Sequence, residues 1–169
     1  QTGGDFYKSL DSIHDRLSKN ALPVHLPIGF EKDICGVVDL IAMKGYTYKD
    51  YADHELVEGE IPADMVEKAK NARTLLVEKA VEYDDALFER YLDQGEESIT
   101  EDELKSALRK AVLSGEFYLV TGGDGRGVIV EKLLDLVADY MPAPTDVDAV
   151  WGQNPKTGDE IERKPDVSE

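Results

Sequence analysis

Cysteine is almost absent: Cys35 stands alone in 169 residues, which excludes an internal disulfide and a cysteine-built metal centre. Histidine is scarce as well. His14, His25 and His54 are scattered, with no two at the i,i+4 spacing that a zinc-holding helix uses, so no metal site is expected. Positive charge is short: 19 Lys plus Arg face 36 Asp plus Glu, a formal net charge of −17. Free nucleic acid needs a cationic surface, so it is not expected as a ligand, and an anionic membrane is disfavoured for the same reason. Basic proteins would instead be drawn in, most strongly at low salt. No run approaches the ~20 apolar residues of a membrane helix. No charged-then-apolar signal segment opens the chain. Together these absences point to a reducing cytoplasm.

What is present suffices for one domain with an appendage, since 41% of the residues are apolar. Residues 2–18 read as a loop and a helix, with Asp5 as N-cap and Leu10, Ile13 and Leu17 at helical spacing. "ALPVHLPIGF" and "DICGVVDLIAMKGYTYKD" are rich in β-branched residues around a turn at "GFEKD" and predict an antiparallel pair. Within it, Val38, Leu40 and Ala42 alternate with Val37, Asp39 and Ile41, and Cys35 reads as a small buried side chain. "HELVEGEIP" offers a further strand. From Pro62, placed in a first helical turn, the period becomes 3.6. Met65, Ala69, Ala72, Leu76 and Ala80 then form an apolar stripe that leaves Asp64, Glu67, Glu78 and Glu82 outside it. Those acids are either a solvated face or a docking face for a basic partner. "DDALFERYLDQG" predicts a helix closed by Gly95. "ITEDEL" gives Thr100 as N-cap and Glu103 as its capping-box partner, and predicts a helix over 101–113.

Residues 117–141, "FYLVTGGDGRGVIVEKLLDLVADYM", read as strand, glycine loop and helix, the arrangement by which many proteins hold a phosphate. Val130, Leu133, Leu134, Val137 and Met141 are the expected buried face of that helix. The loop fails the dinucleotide fingerprint, because counting from Gly123 and Gly125 the third glycine would fall at Val128. It also lacks the Gly-Lys-Ser/Thr of a phosphate loop, and Asp124 would repel a phosphate. Several glycines after a strand are common wherever a turn needs positive φ. No nucleophile–base constellation emerges. Past "PAPTD", the tail reads as a strand, a turn at "NPKTG" and a polar end without a core of its own.

Read in order, "TGGDFYKSLDSIHDRL", "ALPVHLPIGFEKDICGVVDLIAMKGYTY", "EIPADMVEKAKNARTLLVEKAVEYDDALFERYL", "ITEDELKSALRKAVLSGEFYLV" and "VEKLLDLVADYMPAPTDV" resemble bacterial elongation factor G, a translational GTPase. The likeness runs from about residue 2 to 150, and "LPIG…GVVDLI" and "IPADMVEKA" are its most specific pieces.

The resemblance implies an α/β chain: the second half of a GTPase domain with its inserted subdomain. Residues 1–20 would be the helix after the guanine-specificity motif, and 21–115 the inserted subdomain with a small antiparallel sheet and helices. Residues 116–144 would be the closing strand, guanine loop and last helix, and 145–169 the incomplete start of a β-barrel domain. Gly122, Gly123 and Asp124 then occupy the place of the family's Gly-Ser-Ala guanine loop, with Arg126 in place of its lysine. The phosphate loop, switches and Asn-Lys-x-Asp motif would precede Gln1. The fragment is therefore expected to hold no cofactor and to be inactive alone, whereas the parent would use GTP and Mg2+ on the ribosome. The family's inserted subdomain touches the C-terminal domain of the ribosomal stalk protein. That makes Asp64, Glu67 and Glu78 the candidate docking acids. The closing strand, short of its sheet partners, would be an exposed edge open to weak self-association. Two other readings stay open: a free-standing acidic interaction domain without GTPase activity, and a nucleotide-binding enzyme using the glycine loop.

Overall fold

A computed structural model describes residues 3–50, 53–123, 130–146 and 149–165. Helix α1 (Phe6–Arg16) begins where expected, with the Asp5 side chain accepting the N–H groups of Tyr7 and Lys8. Strand β1 (Ala21–Pro23) follows, and then β2 (His25–Ile28). A single 3-10 turn at Glu31–Asp33 leads to β3 (Gly36–Asp39), which continues into β4 (Lys44–Asp50) and β5 (Asp53–Gly59). These last four strands form an antiparallel sheet in the order β2-β3-β4-β5. The expected pair is thus present, in register His25 opposite Asp39 and Ile28 opposite Gly36. At Gly36 a Cβ would lie 2.0 Å from the Tyr46 carbonyl oxygen, so only glycine lets β4 approach there.

The stretch read as one strand from Asp33 to Asp50 is two, because residues 40–43 turn back with Met43 at φ 53°. That turn also ends the expected alternation. Leu40 and Ile41 both enter the main core, while Val37 packs apart, against Ile34, Tyr46 and Tyr48. Cys35 is exposed rather than buried. It precedes the first fully buried strand position, and its backbone bonds Ile28 on one side and Tyr48 on the other.

The remaining helices are α2 (Val66–Val81), α3 (Asp85–Gln94), α4 (Glu101–Leu113) and α5 (Val130–Tyr140). Helix α2 starts later than Pro62, because a turn intervenes in which the Met65 N–H bonds the Pro62 carbonyl at 2.8 Å. Gly95 closes α3 at φ 79°. The capping box of α4 is complete, with Thr100 and Glu103 each receiving the other's backbone N–H. Such a cap is worth about 1 kcal/mol. Arg90 beside Glu103, together with the Thr100 donors, holds that carboxyl down at about 2.

Strand β6 (Tyr118–Val120) runs parallel to β1, from Ala21 opposite Tyr118 to Pro23 opposite Val120. The crossover between them contains the whole antiparallel sheet and α2 to α4. Val24 joins the two sheets: its N–H bonds the Val120 carbonyl at 3.0 Å, and its own carbonyl accepts from Leu40 N–H at 2.9 Å. One core unites Val24, Leu26 and Val38 with Leu76, Val77, Val81, Leu104, Leu108 and Phe117. Ala69, Ala80, Ala107 and Ala111 allow the close approach of α2 and α4. Arg73 on α2 satisfies the turn after β3, donating to the carbonyls of Leu40 and Ile41 at 2.6 and 2.5 Å.

The chain is therefore mixed α/β. A hairpin of β7 (Val150–Gln153) and β8 (Glu160–Arg163) ends the described residues, among which no barrel closes. The face expected to be buried on α5 is not. Val130, Leu133, Leu134, Val137 and Met141 are all exposed, and the helix instead turns Leu136 and Tyr140 to the core. With only β1 and β6 in the parallel sheet, one side of α5 has nothing to cover it among the described residues. No helix among them is long and apolar enough to cross a membrane.

Candidate functional site

The chemistry-bearing groups gather where β6 gives way to the glycine segment. Thr121 follows the strand, and Gly122 and Gly123 come next, both exposed. Asp124 and Arg126 lie outside the described residues. Gly122 comes up against α1, where a Cβ on it would sit 3.2 Å from the Phe6 ring. A cleft of about 340 Å³ opens there, lined by Gly4, Asp5 and Phe6 from the start of α1 and by Thr121, Gly122 and Gly123. It lies outside the carboxyl end of β6, the usual position for a ligand in an open α/β sheet.

Behind Thr121 is a buried polar cluster that sequence spacing did not reveal. The Thr121 hydroxyl lies 2.9 Å from His25 Nδ1, and the His25 ring is 3% exposed. His25 Nε2 faces Asp39 Oδ2 at 3.8 Å. The other Asp39 oxygen accepts the N–H groups of Ile41 and Ala42 at 2.9 and 3.0 Å, which caps the turn after β3. Lys132, in the first turn of α5, donates to Asp39 Oδ2 at 3.4 Å and stands over the Tyr46 ring, 3.7 Å from its centroid. Next to it, the Tyr48 hydroxyl donates to Glu131 at 2.7 Å.

Burial pushes the Asp39 carboxyl up, but the His25 ring, the Ala42 N–H and the Lys132 ammonium outweigh it and hold the group at about 2. Asp39 is thus a carboxylate at neutral pH. Tyr140 borders the same cluster, and burial, with the Asp139 and Asp39 charges, pushes its hydroxyl above the usual range.

Thr121, His25 and Asp39 have the order of a nucleophile, base and orienting acid, yet the geometry does not support that chemistry. A separation of 3.8 Å is too long for a hydrogen bond. Asp39 also spends its oxygens on two backbone N–H groups and Lys132, leaving no carboxylate free to orient the imidazole. Among the described residues no group of His, Cys, Asp and Glu could hold a metal ion. The arrangement fixes backbone; it does not activate a hydroxyl.

The candidate docking acids lie elsewhere. Asp64 is exposed in the turn before α2, and Glu67 and Glu78 are exposed on the helix. Eleven positions bring Glu67 and Glu78 to within about 20° of one face, roughly 16 Å apart along the axis. Glu78 accepts the Tyr91 hydroxyl at 3.1 Å. Glu82 is drawn aside to Lys79, 2.7 Å away.

No family model matches the chain. Solved structures do, in 64 chains. One of them, a crystal structure of a Thermus thermophilus protein, is similar with a TM-score of 0.74 and 29% identity over 95% of this chain. This chain covers 25% of that protein and so spans about a quarter of its length.

Proposed function

We propose that the chain is the segment of an elongation-factor-G-like translational GTPase that carries the guanine-loop position and an inserted docking subdomain. The observation that supports this most is the cleft between Gly122 and the start of α1. Gly4 to Phe6 and Thr121 to Gly123 are more than a hundred residues apart in the chain, yet they line one opening at the end of a parallel strand. In the resemblance, these two stretches flank the guanine base: the specificity motif directly precedes the first, and the guanine loop begins in the second. The similarity to a quarter of a longer solved protein agrees with a part of a larger machine. GTP and Mg2+ would be held by the parent, with phosphate and magnesium ligands from other segments; Gly122 and Gly123 would contribute backbone N–H donors at most.

The subdomain's own task in this reading is to dock the C-terminal domain of the ribosomal stalk protein through Asp64, Glu67 and Glu78. Charges at the rim of an interface mainly raise association rates and make them salt-dependent. Converting Glu67 and Glu78 to lysine together is expected to weaken binding to that domain about fivefold at low salt. The deficit should shrink as salt is added. An NMR titration that gives equal affinity for the original chain and a folded double variant at low salt would reject this surface.

The open side of β6 and the apolar face of α5 carry the other expected interaction. Leu134 and Val137 are 61% and 50% exposed, beside a strand that among the described residues has a neighbour on one side only. The isolated chain is expected to associate weakly as concentration rises. Sedimentation that shows monomer alone at high concentration removes this expectation.

A further inference from the structure

The two described flanks of the glycine segment both meet the antiparallel sheet, to which β6 does not belong. On the amino side, Thr121 meets His25, the first residue of β2. On the carboxyl side, Lys132 meets Asp39, the last residue of β3. His25 and Asp39 are themselves cross-strand partners in the β2–β3 register, so their side chains are side by side because the ladder places them there. Both are largely buried, at 3% and 8% exposure, where water does not stand in for a missing polar partner. Tyr46 and Tyr48 of β4 reinforce the carboxyl flank, through Lys132 and Glu131.

We propose that His25 and Asp39 are positioning residues that fix the end of β6 and the first turn of α5 relative to each other, so that a displacement of the antiparallel sheet is felt at both flanks of the glycine segment together. The inference rests on contacts within this chain, and stands whether or not the parent is a GTPase. It gives the sheet a role beyond scaffolding: a partner that docks on the subdomain and displaces β2 and β3 together moves Thr121 and Lys132 together. The pair acts as one unit because the β2–β3 ladder sets the two residues opposite each other, and Asp39 is anchored further at its second oxygen by the Ile41 and Ala42 N–H groups.

The test is a comparison of backbone amide signals in the isotope-labelled 169-residue chain. Thr121→Val deletes one hydroxyl at nearly constant shape, and should shift the amides of Glu131 and Lys132 as well as that of Gly122. Thr121→Ser retains the hydroxyl and should leave Glu131 unmoved. Lys132→Met should shift Thr121 and Gly122 in return. Tyr48→Phe perturbs Glu131 without involving His25 or Asp39, and should not reach Gly122. Shifts that stop at the mutated flank, or a Ser variant that behaves as the Val variant does, would overturn the proposal. So would an effect of Tyr48→Phe at Gly122, since the coupling would then run along the intervening chain. Should Thr121→Val fail to fold, Asp39→Asn serves instead: both flanks moving together supports the pairing, and one moving alone refutes it.

Discussion

Replacing Asp39 by alanine is expected to destabilise the chain by about 3–5 kcal/mol, the range found when one partner is removed from a buried charged contact. Three losses act together. The N–H groups of Ile41 and Ala42 lose their acceptor at the turn between β3 and β4, Lys132 loses its counter-charge, and His25 is left facing a cavity. Asp39→Asn should cost less, because the amide oxygen can still accept the two turn N–H groups. The same carboxylate makes stability depend on pH. Its folded value of about 2 lies below the ordinary aspartate value of 3.8, so the unfolded chain binds the proton more readily. The contribution is complete above about pH 4 and is lost as pH falls toward 2, amounting to about 2 kcal/mol. Urea titrations between pH 2 and 6 on the original chain and on Asp39→Asn test it. Equal acid sensitivity in the two would show that other carboxylates govern the acid limb.

Phe117→Ala is expected to cost about 3–5 kcal/mol, through lost burial and the cavity left behind. Phe117 is 1% exposed and is among the largest fully buried side chains. It meets Tyr83 edge-on with ring centroids 6.2 Å apart, so it ties the end of α2 to the strand that leads into the glycine segment. Against a total stability of about 5–15 kcal/mol for a typical domain, that is a large share. The readout is the urea midpoint. A shift worth under about 1 kcal/mol would mean that the site collapses around the smaller side chain and that Phe117 is not a keystone of this core.

Local chemistry makes some elements readable from the sequence. The caps at Asp5, Thr100 and Gly95 act within three or four residues, and each sits where the sequence pattern puts it. The pairing of β2 with β3 is readable for the same reason, since a short turn joins two β-branched runs. What escapes the sequence depends on distant partners. The parallel pairing of Ala21 with Tyr118 joins residues that no local pattern relates. The apolar stripe on α5 marks an amphipathic helix, but periodicity does not say which surface will cover it, and Leu134 is 61% exposed. Residue type alone favours burial for Cys35, whereas its place just before β3 leaves it exposed. Of the candidate site, the glycines are legible and the buried cluster is not. His25 and Thr121 lie 96 residues apart, and a buried histidine–aspartate pair has no signature in spacing. The one available clue is Asp39 itself, a charged residue inside an apolar run.

Val24 has one further consequence. Because its N–H belongs to the parallel pair and its carbonyl to the antiparallel sheet, neither can fray past this residue without drawing a hydrogen bond from the other. The two sheets are therefore expected to open as a single cooperative unit, with Val24 and Leu40 among the last amides to exchange with solvent in a hydrogen-exchange measurement.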